Sequence, residues 1–257
     1  MAALLTVDNI SKAFGGVRAV NDVSIEVEKG AIVGLIGTNG AGKTTLFNII
    51  SGFLAADSGQ VNLEGEQITS LKSHEIAQRG LVRTFQTPIG FPRMTVFENM
   101  LVFDKQTKHH FRRSISPFGA NRKIPEDVKA NIAKNLDSIQ LGDQHDTWLQ
   151  DLSAPDLKLL EFIRAVQSDP KILLLDEPAA GVNVALLEEL EKQIRAVRDK
   201  GVTCLIVDHN VGFICSICDY VYAMADGKLI SKGEPNAVVA DPAVIDCYIG
   251  SGGAAQQ

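Results

Sequence analysis

The sequence predicts an α/β fold with a mixed, largely parallel sheet as its core, antiparallel strands at the edge and an inserted helical subdomain. Short runs typical of buried strands occur at 31–36, which is wholly apolar, and at 171–175 and 203–207, and helical segments alternate with them. The first of these runs passes through a glycine-rich loop directly into a predicted helix. At 257 residues, the chain is long enough for a large buried core.

The antiparallel edge is predicted from the first thirty or so residues. Residues 4–7 and 23–27 have the composition of short strands, and the second run alternates in polarity. Asn21–Asp22 and Lys29–Gly30 are typical turn sequences and flank this second run. An antiparallel pair of strands is the simplest arrangement that these signals allow.

The remaining elements follow from the spacing of apolar residues. Residues 126–141, for example, place Val128, Ile132 and Leu136 on one helical face. Further strands are predicted over 61–63 and 81–85, and helices over 44–51, 73–79, 95–103, 126–141 and 185–200.

This order of elements predicts a single domain over 1–257. Its core, of the RecA-like type, is expected to comprise residues 1–88 and 169–232, with a helical subdomain inserted over 89–168. Residues 233–257 are expected to form a C-terminal helix and a flexible tail, since the last eight residues, from position 250, are small and polar.

Composition restricts the location and the partners of the chain. No apolar run is long enough to cross a bilayer and the N-terminus lacks a secretion signal, so a cytosolic chain is expected. The net charge of −6 gives no reason to expect nucleic acid. Cysteines at 204, 215, 218 and 247 are expected to be reduced core thiols; Cys215 and Cys218 have CxxC spacing, but a zinc site needs further ligands.

The glycine-rich loop matches a phosphate-binding P-loop at every fixed position. Its glycines allow successive backbone N–H groups to converge on phosphates, and the following helix presents its positive end to them. Lys43 is predicted to reach the β- and γ-phosphates, and Thr44 to hold Mg²⁺. The predicted nucleotide-binding residues of the loop are Gly37, Thr38, Asn39, Gly40, Ala41, Gly42, Lys43, Thr44 and Thr45.

A second motif, ILLLDEP at 172–178, supplies acidic residues at the end of a buried strand. Asp176 is predicted to be a metal carboxylate. Glu177 follows it and can act as the general base for an attacking water. Together, the two motifs predict ATP and Mg²⁺ as cofactors.

With these residues, the chain resembles ATP-binding cassette (ABC) ATPases over essentially its full length. The resemblance rests on GTNGAGKTT at 37–45, TFQ at 84–86, LLLDEP at 173–178, AAGVN at 179–183 and VDHN at 207–210. It implies that Gln86 contacts metal and water, that His209 contacts the γ-phosphate, and that Phe14 stacks on adenine. It also places the D-loop at Gly181, Val182 and Asn183.

The signature segment departs from the family pattern. The family has Leu-Ser-Gly-Gly-Gln, whereas this chain has Leu152 followed by Ser153, Ala154, Pro155 and Asp156. In the family, two such domains face each other head to tail, and each signature closes the partner's ATP site. Pro155 lacks an N–H, and Ser153 with Asp156 is typical of a capping box. We therefore expect a heterodimer with one competent site and one degenerate site.

Smaller features resemble the ATPase subunits of branched-chain amino-acid importers, namely RTFQ at 83–86, MTVFENMLV at 94–102 and a closing CYIG. That resemblance implies permease subunits, a solute-binding protein and a peripheral location on the cytoplasmic face of the membrane. Alternatives are a lipopolysaccharide-export-like ATPase, which VDHNV favours, and a regulatory module with little turnover. The basic stretch 105–123 could lie against lipid headgroups or a permease, or form a solvated loop.

Overall fold

The computed structural model describes residues 3–84, 90–104 and 124–252, and the chain divides into two compact units. The larger unit comprises residues 1–86 and 171–257, and the smaller unit comprises residues 87–170. Gln86 and the basic stretch 105–123 lie outside the described residues.

An antiparallel sheet of four strands forms one part of the larger unit, in the order β2-β1-β4-β5. The predicted turn at Asn21–Asp22 is wrong, because the strands are longer and the chain reverses at Gly15–Gly16. Asp22 has a left-handed φ of 59° within its strand, where the register of the pair shifts. The strands are β1 (Ala3–Phe14), β2 (Val17–Glu28), β4 (Ser58–Leu63) and β5 (Glu66–Gln67).

A second sheet of six strands forms the centre of the larger unit, in the order β10-β9-β3-β8-β7-β6. Its strands run parallel except β10, which pairs antiparallel with β9. Every residue of β3, β7 and β8 is buried, as expected for strands covered on both faces. The strands are β3 (Ile32–Gly37), β6 (Leu81–Arg83), β7 (Ile172–Asp176), β8 (Thr203–Val207), β9 (Tyr220–Ala225) and β10 (Lys228–Gly233).

The helices of the larger unit alternate with these strands. The one over Val184–Asp199 buries Leu190, Ile194 and Val197 on one face, which is the spacing of an amphipathic helix. The C-terminal helix extends to Gly252, past the point where disorder was expected; residues 253–257 lie outside the described chain. The helices are α1 (Lys43–Ile50), α2 (Ser73–Gln78), α6 (Val184–Asp199), α7 (Val211–Ile217), α8 (Pro235–Val239) and α9 (Pro242–Gly252).

The described part of the smaller unit is helical. Thr95 begins its first helix with a capping box to Glu98, so both side chains satisfy N–H groups at the helix start. Val128, Ile132 and Leu136 form the buried stripe that their spacing predicts. The helices are α3 (Val96–Phe103), α4 (Glu126–Ser138) and α5 (Ala154–Gln167), with 3₁₀ turns at Gly142–Gln144 and Leu149–Asp151.

Three further features bear on the sequence predictions. Cys204 and Cys218 are buried, and Cys215 and Cys247 are half-buried. Within the described ranges, no His, Cys, Asp or Glu side chains form a cluster of three or more that could hold a metal ion. None of the helices in those ranges combines the length and apolar character that crossing a bilayer requires.

Candidate functional site

Two glycines of the P-loop, Gly37 and Gly42, occupy positions that a residue with a side chain could not fill without displacing neighbouring backbone. Gly42, just before α1, has a φ of 99°, and a Cβ added there would collide with the carbonyl oxygen of Ala19. Gly37, at the end of β3, has a φ of 153°, and a Cβ there would collide with the carbonyl oxygen of Met224. The loop therefore packs its backbone directly against neighbouring backbone, which fixes the path of the chain into α1.

Lys43 lies at the first position of α1 and is 7% exposed. Its Nζ donates hydrogen bonds to the carbonyl oxygens of Gly37, at 2.7 Å, and Thr38, at 2.9 Å. Burial lowers the pKa of Lys43, and the nearby carboxylates of Glu177, Asp176 and Asp208 oppose that shift. The ammonium group thus lies at the loop and within the electrostatic influence of these three acids.

The remaining predicted residues of the loop surround the start of α1. Gly42 is the N-cap of this helix, and the helix starts without a side-chain cap. Asn39, Gly40 and Thr44 are exposed, Thr38 and Thr45 are half-buried, and Ala41 is buried. A helix N-terminus without its own cap carries partial positive charge toward an anion, so this arrangement suits phosphate.

Asp176 and Glu177 lie at the carboxyl end of β7. In the parallel register, β8 pairs Val207 with both Leu35 of β3 and Asp176 of β7. The P-loop, which leaves β3, and the acidic pair therefore emerge at the same edge of the sheet. Ligands of open parallel sheets bind at this carboxyl edge.

The backbone at Glu177 is unusual. Its φ is 48°, a left-handed value that is uncommon for a residue with a side chain, and its N–H donates to the Val207 carbonyl at 2.8 Å. Such backbone strain occurs at functional sites, where the surrounding structure holds it in place. Here the bond to β8 holds the carboxylate at the strand end.

His209 follows the end of β8 and is close to the acidic pair. Its Nδ1 lies 3.9 Å from Oε2 of Glu177 and 3.7 Å from Oδ1 of Asp208. The His209 side chain is 57% exposed, whereas that of Glu177 is 20% exposed. The structure thus brings the predicted base and the predicted switch histidine together, with the histidine open to solvent.

Asp208 is a residue whose role the sequence did not predict. It is fully buried; its Oδ2 accepts from the Ala179 N–H at 2.9 Å, and its Oδ1 accepts from the Asn210 N–H at 2.8 Å. The carboxylate therefore links the segment after Glu177 to the segment that carries His209. The sequence signal was its position next to His209 at the end of a buried strand.

The predicted D-loop residues lie between β7 and α6. Gly181 is exposed with a φ of 68°, and Val182 is half-buried. Asn183 caps α6, because its side chain accepts from the Leu186 N–H at 2.9 Å.

Phe14, at the end of β1, is 50% exposed, and Lys12 Nζ lies 5.8 Å from its ring centroid. An aromatic face is therefore available to solvent there.

The signature segment lies in the smaller unit, at the start of α5. Ser153 is the N-cap, Ala154 and Pro155 are the first two residues, and Asp156 is the third. The Asp156 N–H donates to Ser153 Oγ at 3.3 Å, which is one half of the predicted capping box. The other half is wrong, because the Asp156 carboxylate accepts from the Ser153 hydroxyl, at 2.7 Å, instead of from the Ser153 backbone.

The donor set at the carboxyl edge fits a magnesium ion in part. Mg²⁺ prefers oxygen ligands and commonly takes one or two carboxylates together with phosphate oxygens. Thr44 offers a hydroxyl and Asp176 offers a carboxylate, and Asp176 also forms an ion pair with Arg83. Gln86, the third predicted metal residue, lies outside the described part of the chain.

Comparison with known proteins shows the family of this chain. The ABC transporter family profile matches residues 20–180. A curated relative in Archaeoglobus fulgidus, "Probable branched-chain amino acid transport ATP-binding protein LivG", is 39% identical over 248 residues, which are 96% of each chain. The lipopolysaccharide export system ATP-binding protein LptB of Haemophilus influenzae is 35% identical over 249 residues, 96% of this chain and 98% of that protein.

A solved structure is similar over the whole chain. It is the ADP conformation of MJ1267, an ATP-binding cassette of an ABC transporter, with a TM-score of 0.84 and 36% identity over 97% of this chain and 100% of that one. The family match, the near-complete coverage of relatives and the P-loop geometry agree with one another. This chain therefore belongs to the ABC transporter family, as an ATP-binding and ATP-hydrolysing subunit.

Proposed function

We propose that this chain powers an importer of branched-chain amino acids or related small solutes, using ATP and Mg²⁺. The observation that carries the proposal is the joint position of Lys43, Asp176, Glu177 and His209 at one carboxyl edge of the parallel sheet. The similarity to a LivG protein along 96% of both chains supports the choice of transported solute.

Each residue has a part in ATP hydrolysis that its surroundings support. Lys43 and the start of α1 hold the phosphates, while Thr44 and Asp176 hold the metal together with Gln86. Glu177 takes a proton from the attacking water, and His209 contacts the γ-phosphate. Phe14 stacks on adenine, which suits its half-exposed ring. Gly181, Val182 and Asn183 belong to the interface with the second ATPase.

The partners follow from the transport role. The chain works on the cytoplasmic face of the membrane, bound to permease subunits that carry the solute pathway. A solute-binding protein outside that membrane delivers the substrate. Nucleic acid is not among its partners.

The second ATPase is proposed to be a different chain. In the family, each signature helix closes the partner's ATP site with its serine and its first amides. Here the Ser153 hydroxyl donates to Asp156, and Pro155 has no N–H to offer at the second position of α5. This chain's own site can be closed by an intact signature on the other subunit, so one of the two sites turns over efficiently.

A second candidate function is lipopolysaccharide export, which the 35% identity to LptB of Haemophilus influenzae supports. Both candidates use the same ATP chemistry, so the permease partners distinguish them.

The choice is tested by purifying the chain from its native membrane and identifying the proteins that accompany it. A second ATPase with importer permeases is the expected result, whereas export permeases would favour the alternative. Recovery of the chain alone, with negligible ATPase activity, would indicate a regulatory module instead.

A further inference from the structure

Arg83, the last residue of β6, is a buried arginine that joins two separate parts of the larger unit. Its Nη2 donates to Oδ2 of Asp176 at 2.7 Å. Its Nη1 donates to Oδ1 of Asn48, at 2.7 Å, and to Oγ of Ser51, at 2.9 Å. The side chains of Arg83 and Asp176 are only 6% and 9% exposed. The guanidinium thus connects the end of β7 with the last turn of α1 and with Ser51, the residue that caps its C-terminus.

Two aromatic rings restrict the same guanidinium further. Arg83 Cζ lies 5.8 Å from the ring centroid of Phe47 and 5.7 Å from that of Phe53, within the range of cation–π attraction. Phe47 belongs to α1 and is fully buried, whereas Phe53 follows that helix. The orientation of the guanidinium is therefore set by hydrogen bonds from both ends and by rings beside it.

The hydrogen bond from Arg83 affects the orientation of the Asp176 carboxylate. A hydrogen bond to one carboxylate oxygen fixes the plane of the carboxylate and leaves the other oxygen, Oδ1, to serve a metal. Partners of this kind orient metal ligands in many proteins, and their loss weakens metal binding. The hydrogen bond from Arg83 to Asn48 acts on the other candidate ligand, because Asn48 lies one turn after Thr44 on α1. Arg83 therefore ties together the two elements that carry the candidate ligands.

We propose that Arg83 is a positioning residue for the metal of the ATP site. It holds the Asp176 carboxylate in a fixed position relative to α1 and does not itself touch the nucleotide. This inference rests on the proposed magnesium site. The residue type fits the role, because a planar guanidinium can donate in two directions at once. A lysine would keep the charge but would lose the second set of bonds.

The role of orientation can be separated from that of charge. Removing a positive charge beside Asp176 should strengthen the binding of a cation by Coulomb's law, if charge alone mattered. Losing the orientation of Asp176 should weaken it. Arg83→Gln therefore gives opposite results under the two explanations, and Arg83→Lys, which retains the charge, weakens metal binding only under the positioning role.

The experiment measures binding of Mn²⁺ to the ADP-loaded full-length chain by electron paramagnetic resonance. Both Arg83→Gln and Arg83→Lys are expected to weaken Mn²⁺ binding by about ten- to a hundredfold, the usual effect of losing such a partner. ADP affinity in EDTA should stay unchanged, because the P-loop is not altered. Arg79→Gln is the matched control, since that exposed arginine lies 3.8 Å from Glu66 and away from Asp176.

Several outcomes would overturn the inference. It would be overturned if both Arg83 variants bound Mn²⁺ as tightly as the unsubstituted chain does. Tighter Mn²⁺ binding by Arg83→Gln, or an unchanged Mn²⁺ affinity in Arg83→Lys, would also overturn it. If calorimetry shows that the Arg83 variants do not fold, Asn48→Ala replaces them; it should weaken Mn²⁺ binding by a smaller factor, and an unchanged affinity would count against the role. Absence of Mn²⁺ binding by the unsubstituted chain would overturn the magnesium site as well.

Discussion

The imidazole Nδ1 of His209 lies 3.9 Å from Oε2 of Glu177, across the ends of two strands that pair directly in the parallel sheet. The Glu177 N–H is bonded to the carbonyl of Val207, two residues before His209. The predicted base and switch histidine are therefore held by the same pair of strands. A shift at either strand end would change the distance between the two side chains.

Glu177→Gln should retain ATP binding and lose turnover. The amide keeps the shape of the side chain but cannot accept a proton from water, so kcat of the assembled complex should fall by at least about a hundredfold. ATPase assays and nucleotide binding on the same preparation measure both effects. Glu66→Gln, at an exposed glutamate of β5, should leave activity unchanged. Undiminished turnover in Glu177→Gln would show that this chain does not supply the base.

The sequence predicted the elements that carry the candidate site well, because a local pattern determines each of them. The P-loop and the strand ending at Asp176 have fixed spacing and a buried, apolar context, so their elements coincide with the structure within one or two residues. The predicted turn at Asn21–Asp22 failed, because Asp22 adopts its left-handed conformation inside a strand. Turn-forming residues also occur at bulges, and only strand pairing distinguishes the two.

Gly42→Ala should severely damage the P-loop, whereas Gly40→Ala should not. Both glycines have positive φ, at 99° and 82°, but an added Cβ collides with the Ala19 carbonyl at Gly42 and meets no atom within 4 Å at Gly40. Gly40→Ala should therefore cost only the backbone strain, about 1 kcal/mol of unfolding free energy. Gly42→Ala should cost more than that and weaken ATP binding at least about tenfold, since the loop must move. Urea unfolding and ATP titration test the pair; equal effects would contradict the collision argument.

Asp208→Asn should reduce both stability and activity. The buried carboxylate accepts from two backbone N–H groups, those of Ala179 and Asn210, whereas an amide presents an NH₂ group to one of them. The unpaired N–H should lower the unfolding free energy by about 2 kcal/mol. Because both segments leave the catalytic strand ends, kcat should also fall by about tenfold or more. Wild-type kcat in a folded Asp208→Asn variant would argue against the positioning role.

The alkaline loss of stability should depend on Cys204. Burial raises the pKa of this thiol from 9.0 to about 12, so the folded chain keeps a proton that the unfolded chain releases above pH 9. The stabilisation is complete below that pH and is lost as pH rises toward 12. Between about pH 8 and pH 10, the unfolding free energy should therefore fall by about 1 kcal/mol less in Cys204→Ala than in the unsubstituted chain.

Urea unfolding at the two pH values measures this difference. Cys247→Ala, at a half-buried cysteine of α9, is the control and should retain the Cys204 contribution. Cys204→Val should behave like Cys204→Ala in its pH dependence, although its absolute stability can differ through packing. An equal alkaline loss in the unsubstituted chain and in both Cys204 variants would show that this thiol is not the source.

Arg83 and Asp208 show what the sequence could not predict. Each lies beside a recognised motif, but its importance comes from partners far along the chain: Asp176 is bonded to Arg83 across 93 positions, and Ala179 to Asp208 across 29. No local spacing encodes such contacts. For the signature segment, the sequence located the helix start, but the hydroxyl bond from Ser153 to Asp156 depends on side-chain geometry that spacing leaves open.

Restoring the signature should allow the chain to pair with itself. The exposed start of α5 lacks one N–H at Pro155, and the Ser153 hydroxyl donates to Asp156 at 2.7 Å. Replacing Ala154, Pro155 and Asp156 by Gly, Gly and Gln returns the amide and removes the competing carboxylate, so the helix start can receive a γ-phosphate.

Size-exclusion chromatography in the Glu177→Gln background measures the effect. The restored chain should dimerise with ATP, whereas the chain with Glu177→Gln alone should remain largely monomeric. Adding Ser153→Ala to the restored chain should weaken that dimer, because the serine hydroxyl is lost. Equal ATP-dependent dimerisation of the two Glu177→Gln chains would contradict the proposal that this signature is degenerate and that the natural partner is a different subunit.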